Sequence, residues 1–417
     1  MKHHREAPGQ ARGRRPGPRL PKKAVLASVS AFTLVAAVAA CSSSSSSSSS
    51  SAATSTSSAT AAATASATSS TAAGVAYAQA QIQAAMAAPA APVPSTAISD
   101  LSSLHGKTIY YVPISSDVPA FAITAAAMKT ALATVGVKLE VCSGNFNPSQ
   151  FAACFSQAIG AGAAAIVSDA IPYQITASLI EKANSKGIGV VVTDQTPLPG
   201  RPEGKNIAYI PGNNNQYQLT QDWIIANSNG NADVLELEAT DSPTSLAATA
   251  DFAIPELQKY CPSCKETLLK FTSSNEQDLP SLISAALLKD PNINYISPQY
   301  DQYVSFVIQG IQDAQATGRV KMAASAAALS GLQDVNTPSS TVKAEVADNQ
   351  VYNGWIDADE AMRMALGQAA VTYSIPVRLF TSANISGIQL NNAGMASGSW
   401  FGSTSYEQQF KTLWGVS

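Results

Sequence analysis

The chain has 417 residues, of which 46% are hydrophobic and 13% are charged, and its formal net charge is −3. The first 40 residues hold eight Lys or Arg and one acid, so the chain from Cys41 onwards has 17 basic against 27 acidic residues and a net charge near −10. This balance excludes nucleic-acid binding, because neutralising phosphates requires a cluster of basic side chains.

The N-terminal segment has the pattern of an export signal. An apolar run from Ala24 to Ala40 follows the basic residues and leads directly into Cys41. The sequence from Val38 to Cys41 resembles the lipobox of bacterial lipoproteins, which implies that residues 1–40 are a signal peptide and that Cys41 carries a lipid. An uncleaved membrane anchor with the same outward topology is the alternative. Both interpretations place the rest of the chain outside the cell, attached to the outer face of its membrane.

A polar low-complexity tract follows the lipobox. Ten consecutive serines, Ser42 to Ser51, lead into a Ser/Thr/Ala-rich stretch that continues to about Ala73. Such a composition buries too little apolar surface to fold, so residues 41–102 are predicted to be a disordered tether.

The remaining cysteines are even in number, as expected where thiols oxidise. Cys142 ends a predicted strand and Cys154 lies in the next helix, and Cys261 is three residues from Cys264. We predict the disulfides 142–154 and 261–264. The second pair also resembles a redox or metal motif, but it follows a helix and precedes a strand, which favours a structural staple.

From residue 108 onwards, short apolar runs alternate with helical periods, which indicates parallel sheets with helices on both faces. In the first series, strands are predicted at 108–112, 137–142, 164–168 and 188–193, and helices at 120–135, 149–161 and 173–185. In the second series, strands are predicted at 233–239, 266–271, 295–297, 320–324, 344–347 and 376–380, and helices at 217–228, 247–260, 278–288, 303–317 and 355–366. The fold class is therefore α/β with two similar lobes.

Four segments carry a resemblance to a known family. They are 164–169 before a helix, 187–194 before a crossover, 295–301 and 410–414. Their order resembles the ribose-type substrate-binding proteins of ABC importers, which have the type I periplasmic-binding-protein fold. The resemblance implies three crossings between the lobes, near Tyr209–Pro211, Asp348–Gln350 and Phe380–Ser382. Lobe one would comprise 105–209 plus 350–380, and lobe two 211–348 plus 382–417.

The resemblance also implies a monomer that captures a small polar ligand between its lobes and delivers it to an ABC permease. Polar residues at strand ends face such a crevice in open α/β sheets. The candidate ligand-binding residues are Ser115, Ser116, Asp117, Asp169, Asp194, Gln195, Asp241, Ser242, Asp301, Asn349 and Gln350, with Phe121 and Tyr300 as stacking faces. Asp and Ser also terminate strands and cap helices, so each residue has a purely structural alternative.

The candidate residues restrict the ligand. Ribose-type relatives have Arg beside the aspartate after the fourth strand, whereas here Gln195 follows Asp194, and the stretch 241–246 lacks a second expected Arg. No candidate segment contributes a cation, so a neutral sugar, polyol or nucleoside is expected first and a cationic amine second. We expect Asp194 and Asp301 to hold it from opposite sides.

Other functions are less well supported. After export only His105 remains of the three histidines, which argues against a triad or a multi-His metal site, and no cofactor is predicted. A glycosidase built on Asp169, Asp194 and Asp301 stays open. A ligand-sensing lipoprotein that acts on a membrane receptor is the third alternative.

Overall fold

The structure is a computed structural model that describes residues 56–197 and 199–416, with side chains from residue 70 onwards. The predicted signal peptide, Cys41 and the serine run lie outside the described residues. No helix in the described part of the chain is long and apolar enough to cross a membrane.

The first sheet is parallel throughout and has the strand order β2-β1-β3-β4-β5. Its strands are β1 (Thr108–Pro113), β2 (Lys138–Val141), β3 (Ala165–Asp169), β4 (Gly189–Thr193) and β5 (Ile207–Ile210). Apolar residues alternate between its two faces, with Val167 packed on one side and Ile166 on the other. Both faces are covered by helices, as expected for a buried parallel sheet.

The second sheet has the order β11-β10-β9-β8-β6-β7. Its strands are β6 (Asp233–Ala239), β7 (Lys265–Phe271), β8 (Tyr295–Ser297), β9 (Lys321–Ser325), β10 (Val342–Asp348) and β11 (Val377–Thr381). All neighbours pair in parallel except β11, which runs antiparallel to β10 at the edge. Each sheet forms one lobe, which confirms the predicted fold class of two α/β lobes.

The helices cover both faces of each sheet. They are α1 (Thr56–Met86), α2 (Pro119–Ala133), α3 (Pro148–Gly160), α4 (Tyr173–Asn184), α5 (Asn215–Asn227), α6 (Pro243–Ala247), α7 (Ile254–Tyr260), α8 (Leu279–Lys289), α9 (Val304–Asp313), α10 (Leu329–Val335), α11 (Gln350–Ala365), α12 (Asn392–Ala396) and α13 (Tyr406–Leu413). A π-helical turn, Ala248–Ala253, joins α6 to α7. In lobe one, α2, α11 and α13 pack on one face and α3 and α4 on the other; in lobe two, α8 and α9 pack opposite α1, α5 and α7.

The chain crosses between the lobes at 211–214, at 349 and at 366–376. The first two crossings agree with the sequence prediction. The third was predicted at Phe380–Ser382 and lies earlier, because β11 pairs with β10 of lobe two instead of joining lobe one. Leu379 and Phe380 of β11 are fully buried on opposite faces of the second sheet, which fixes this placement.

The C-terminal helix also departs from the predicted lobe boundaries. Tyr406, Phe410 and Trp414 belong to the core of lobe one, where the Trp414 ring stacks on Trp355 of α11 with centroids 5.5 Å apart. Residues 402–405 thus form a further crossing, and lobe two does not extend to the C-terminus. Aromatic burial against α11 explains the placement.

Residues 70–104, here called the N-terminal strap, are ordered. Residues 41–102 were predicted to be a disordered tether, and that prediction is wrong for residues 70–102. Val75 and Ala78 of α1 are buried against lobe two, and the Tyr77 ring stacks on Tyr260 with centroids 3.7 Å apart. Past Met86 the strap runs onto lobe one, where Ile98 and its neighbours pack beside α11. Alanine is the strongest helix former and permits close helix packing, so a composition that reads as a linker supports a docked helix here.

Both predicted disulfides are present. Cys142 is bonded to Cys154 between the end of β2 and α3, and Cys261 is bonded to Cys264 in the turn between α7 and β7. Neither bond joins the two lobes, so both leave the relative motion of the lobes unconstrained.

Candidate functional site

Carboxylates collect where the strands of the first sheet end beside the second lobe. Asp169 is the last residue of β3, and Asp194 follows β4, whose final residue Thr193 pairs with Asp169. Because the carboxyl ends of parallel strands share one edge, these side chains lie together. Asp348 ends β10 of lobe two, and Asp357 of α11 lies behind Thr193, so acids from both lobes meet at this point.

We call Asp169, Asp194, Asp348 and Asp357 the interlobe acid cluster. Burial raises the pKa of Asp169 well above its usual range, and the charge of Asp357 raises it further. Burial and then the charge of Asp169 raise the pKa of Asp194, and burial and then the charge of Asp194 raise that of Asp357. The four groups therefore form one electrostatic unit in which full ionisation is unfavourable.

Asp348 differs from the other members of the cluster in accepting hydrogen bonds from two side-chain amides. Burial raises its pKa, but it accepts hydrogen bonds from Asn353 Nδ2 at 2.6 Å and from Gln350 Nε2 at 2.9 Å, which lower it. Gln350 Oε1 in turn accepts a bond from Thr124 Oγ1 of α2 at 3.0 Å. Gln350 thus links an acid of lobe two to a helix of lobe one, directly at the second crossing.

Tyrosine hydroxyls surround the cluster. Tyr111 donates from its hydroxyl to Asp169 Oδ2 within lobe one. From lobe two, Tyr217 donates to the Tyr300 hydroxyl at 3.3 Å. Burial raises the pKa of Tyr300 to about 12, and the charge of Asp194 adds to this effect, so the two lobes are close enough here to interact electrostatically.

The cluster has no cationic partner within the described part of the chain: no Lys or Arg contributes to the pKa shift of any of its four carboxyl groups. Among the described residues, no group of three or more His, Cys, Asp or Glu side chains is placed to hold a metal ion. Buried carboxylates without a counter-charge are costly, so the arrangement suits a ligand that donates hydrogen bonds or brings positive charge.

Two features of the backbone shape the cluster. Asp194 adopts a left-handed conformation with φ of 54°, which is uncommon for a residue other than glycine and is typical of functional sites. Gly212 lies beside it in the first crossing, and a Cβ there would lie 3.0 Å from Asp194 Oδ1. A larger residue at position 212 would therefore press on the aspartate.

Gln195 is the other candidate at the end of β4. Its side chain is only 6% exposed, and its Oε1 atom has no hydrogen-bond partner among the described residues. Leaving such an oxygen unpaired costs about 1–3 kcal/mol, so a donor from a ligand or a water molecule would stabilise it.

The candidates after β1 occupy the neighbouring loop into α2. Ser115 is buried and its Oγ accepts from the Asp117 backbone N at 3.2 Å, and the Ser116 backbone N donates to Ser143 Oγ at 2.9 Å. Asp117 itself is exposed. Phe121 is half-buried and belongs to none of the apolar core clusters, so its ring remains a candidate stacking face.

Three other candidates have local structural roles. Asn349 caps α11 by accepting from the backbone N of Val351 and Tyr352 at 3.1 and 3.2 Å. Ser242 caps α6 through Ser245 N at 3.2 Å. Asp241 is exposed, and it accepts from Ser273 N at 3.1 Å, which ties two loops of lobe two together.

Asp301 does not face Asp194, which corrects the expectation that these two acids hold the ligand from opposite sides. Burial raises the pKa of Asp301 to about 6, and its partners are the Ala328 backbone and Glu345 of β10. Gly331 of α10 lies against both carboxyl groups. Asp301 and Glu345, here called the lobe-two acid pair, are therefore enclosed within one lobe.

Sequence reasoning missed four residues of the cluster and its surroundings: Tyr111, Tyr217, Asp348 and Asp357. Asp348 directly precedes two named candidates and was lost only because the strand was predicted to end one residue early. Tyr111 and Asp357 lie inside a strand and a helix, where their patterns indicate ordinary core and surface positions. Only the tertiary structure, in which α11 packs on the strands of lobe one, shows that Tyr111 and Asp357 lie next to the strand-end acids.

A cavity of about 570 Å³ lies at the edge of lobe one beside the segment 200–211. Its charged lining residues already have partners, since Arg201 pairs with Glu181 and Glu203 accepts from the Tyr209 backbone N. It draws no side chain from lobe two, so it is a weaker candidate than the interlobe acid cluster.

The chain was compared with known families, curated proteins and solved structures. The profile of the family described as "Periplasmic binding protein domain" matches residues 109–369. Comparison with curated protein sequences gives no match.

Many solved structures share the fold. A 5-methylthioribose transporter solute-binding protein from Thermotoga lettingae, in complex with 5-methylthioribose, is 17% identical, with 74% of this chain and 96% of that chain covered and a TM-score of 0.62. A sugar ABC transporter protein from Yersinia enterocolitica is 18% identical, with 79% and 99% covered and a TM-score of 0.62. An ABC transporter solute-binding protein from Agrobacterium vitis with bound allitol is 19% identical, with 68% and 98% covered and a TM-score of 0.59.

These similarities agree with the two-lobed architecture and with the predicted resemblance. The family match begins within β1 and continues past α11, so it includes three members of the interlobe acid cluster on lobe one and Asp348 on lobe two. The chain therefore belongs to the periplasmic binding protein domain family and has the type I fold of sugar ABC transporter solute-binding proteins.

Proposed function

We propose that this protein is an extracytoplasmic solute-binding protein that captures a small, sugar-like ligand between its lobes and delivers it to the permease of an ABC importer. The observation that carries the proposal is the interlobe acid cluster, because its carboxylates come from both lobes and meet at two of the crossings. A neutral sugar, polyol or nucleoside, or an amine, would meet hydrogen-bond acceptors on both sides.

The proposed binding step includes closure of the lobes. The crossings at 211–214 and 349 are short, and no disulfide joins the lobes among the described residues, so a hinge movement about these segments is open to the chain. Gln350 lies at this hinge and contacts both lobes, which couples the second crossing to the site.

A binding screen combined with small-angle scattering tests the proposal. Sugars, polyols and nucleosides are screened by thermal shift, and scattering is recorded on the monomeric protein with and without the best ligand. Ligand-dependent stabilisation together with a smaller radius of gyration supports capture between the lobes. Saturable binding with no change in size would place the ligand elsewhere, and absence of binding by every class would contradict the proposed function.

The anchor is a separate part of the proposal and rests on the lipobox at Cys41, outside the described residues. A lipid on Cys41 would hold the protein at the outer face of the membrane, close to the permease. Substitution Cys41→Ala should abolish lipid labelling and release the protein or leave it as precursor. A cleaved chain that begins at residue 41 and stays in the membrane fraction after the substitution would refute lipidation.

A further inference from the structure

The interlobe acid cluster further restricts the ligand, in an inference that rests on the proposed function. We propose that the physiological ligand is a sugar or polyol that bears a protonated amine, and that Asp169, Asp194, Asp348 and Asp357 bind this ammonium group. The four carboxylates come from the end of β3, the residue after β4, the end of β10 and the middle of α11. Elements of both lobes therefore contribute carboxyl groups to one location.

Two buried acceptor atoms lack a partner, one in the cluster and one in the residue that follows Asp194. Gln195 Oε1 is buried in a side chain that is 6% exposed, and Asp357 Oδ1 in one that is 1% exposed, and neither has a hydrogen-bond partner in the described structure. An ammonium group has three donors and no acceptor, whereas a hydroxyl group donates once and needs donors for its lone pairs. The surplus of acceptors thus matches an amine better than a hydroxyl.

The rest of the site explains why the amine should be part of a sugar or polyol. The hydroxyls of Tyr217 and Tyr300 approach Asp194 from lobe two and can both donate and accept. Phe121 offers a half-buried ring outside the apolar cores. Hydroxyl groups and an apolar ring face are what these residues would recognise.

Lobe one also contains a buried acid with a purely structural role, Asp359, with which the cluster can be compared. Asp359 lies two residues after Asp357 on α11 and accepts from Arg363 Nε at 2.8 Å, with both side chains buried. Asp359 also accepts from Trp414 Nε1 and Tyr373 at 2.6 Å each. The chain supplies a cation and donors to this acid, whereas the interlobe cluster is left to obtain its cation from outside.

A metal ion is the other cation that could neutralise the cluster. Metal sites require several carboxylates to converge on one point at fixed distances, and the described residues hold no group of three or more so arranged. The cluster is electrostatically coupled without being a coordination sphere. An organic ammonium, whose donors are spread over a larger volume, fits such an arrangement.

Matched sugars test the charge directly. Glucosamine, N-acetylglucosamine and glucose share a ring, but only the first carries a cation, and galactosamine, N-acetylgalactosamine and galactose form a second set. Calorimetric titration of the purified full chain at pH 7 should show at least about tenfold tighter binding of one amine than of its acetylated and neutral counterparts. Equal or tighter binding of the neutral sugars would overturn the amine inference and leave the proposed function standing.

Isosteric variants locate the effect. Asp194→Asn and Asp357→Asn should each weaken amine binding by about tenfold and change binding of a neutral sugar by less than about threefold. Glu345→Gln removes a fully buried acid of lobe two outside the cluster and should leave amine affinity unchanged. If the cluster variants weaken both ligand types equally, or if Glu345→Gln weakens amine binding as much as they do, the acids have no specific role with the amine.

Two further outcomes would also overturn the inference. Stabilisation by calcium chloride equal to that by the amines would make the cluster a metal site and overturn the inference. If neither sugar set binds at all, the amine inference and the proposed sugar function both fail. The wild-type comparison decides the inference even if a cluster variant does not fold.

Discussion

The interlobe acid cluster and the lobe-two acid pair are chemically alike but differ in location. Both consist of buried carboxyl groups with raised pKa values, and neither includes a cation among the described residues. The pair is enclosed by α10, where Gly331 lies against Asp301 and Glu345 within a single lobe. The cluster instead draws Asp348 from lobe two and its other members from lobe one, so it lies at the boundary between the lobes.

This comparison shows that a buried acid is not by itself a binding site. In both groups two acids lie within hydrogen-bonding reach of each other, Asp169 with Asp194 and Asp301 with Glu345, so each group can hold a shared proton. Three acids of the cluster belong to lobe one, and Asp348 directly precedes the second crossing, so the cluster lies at the hinge between the lobes.

The largest expected effect comes from removing Arg363, the cation that pairs with the buried Asp359 of α11. Arg363→Met should lower the free energy of unfolding by about 3–5 kcal/mol, because it leaves Asp359 buried without its counter-charge. Urea denaturation measures the change. The pair of Arg201 and Glu181 provides the control because it is better solvated, with Glu181 exposed, so Arg201→Met should cost less than about 1 kcal/mol. Equal effects of the two substitutions would mean that burial does not set the cost of an unpaired acid in this protein.

Gly331 of α10 lies against both acids of the lobe-two acid pair, so a substitution there tests whether the pair is isolated from the crevice between the lobes. Gly331→Ala places a methyl group against Asp301 and within 2.7 Å of Glu345 Oε1, and should destabilise the protein by about 1–3 kcal/mol without changing ligand affinity. Gly160→Ala, which faces open space at the end of α3, should be neutral or slightly stabilising. A loss of ligand affinity in Gly331→Ala would show that the pair communicates with the crevice.

The pH dependence of stability separates the pair from ordinary surface acids. Burial raises the pKa of Asp301 to about 6 and those of Glu266 and Glu360 to about 7, so the folded protein binds more protons than the unfolded chain above about pH 4. Stability should be greatest below about pH 4 on this account and should fall as the pH rises from about 4 through the folded-state pKa values of about 6 and 7.

Thermal melts between pH 5 and 8 measure this slope. Asp301→Asn should reduce the loss of stability over that range by about 1–2 kcal/mol, because the group no longer ionises. Asp313→Asn, at an exposed position, should leave the slope unchanged. A wild-type protein whose stability rises towards pH 8 would contradict the assignment.

The smallest expected effect is a release of protons when an amine binds to the cluster. Burial and mutual repulsion keep part of the cluster protonated, so a bound ammonium should displace a fraction of a proton. Titrations in two buffers of different ionisation enthalpy should then give different binding enthalpies. Glu345→Gln should retain this difference and Asp194→Asn should reduce it. Identical enthalpies for wild type in both buffers would mean that the cluster is already ionised without ligand.

Most strands could be read from the sequence because buried parallel strands appear as continuous apolar runs between helical periods. The strand β5 was missed because it lies within a segment rich in Pro, Gly and Asn that favoured a loop. The strand β11 was found but placed in the wrong lobe, since its antiparallel pairing with β10 leaves no trace in its own residues. The N-terminal strap was read as a tether because its alanines carry no strong apolar pattern.

The sequence allowed the general location of the candidate site to be predicted better than the individual residues that form it. Asp169, Asp194 and Gln350 were identified because strand ends and crossings converge in this topology. Asp301 had the same local signature as Asp194, yet α10 encloses it beside Glu345. Asp357 had none, because a helical acid two residues from Asp359 looks like part of a charged surface until α11 is seen to be buried.

The sequence by itself determined the alternation of strands and helices, the two local disulfides and the shortage of cations near the strand ends. These features depend on composition and on residues close together in the chain. Only the tertiary structure decided which acids face the crevice, which lobe receives β11 and α13, and that the N-terminal strap is docked. Those outcomes depend on contacts between residues far apart in sequence. Whether a group is buried is decided by the element that packs on it, and the residues next to that group in the chain do not indicate which element this will be.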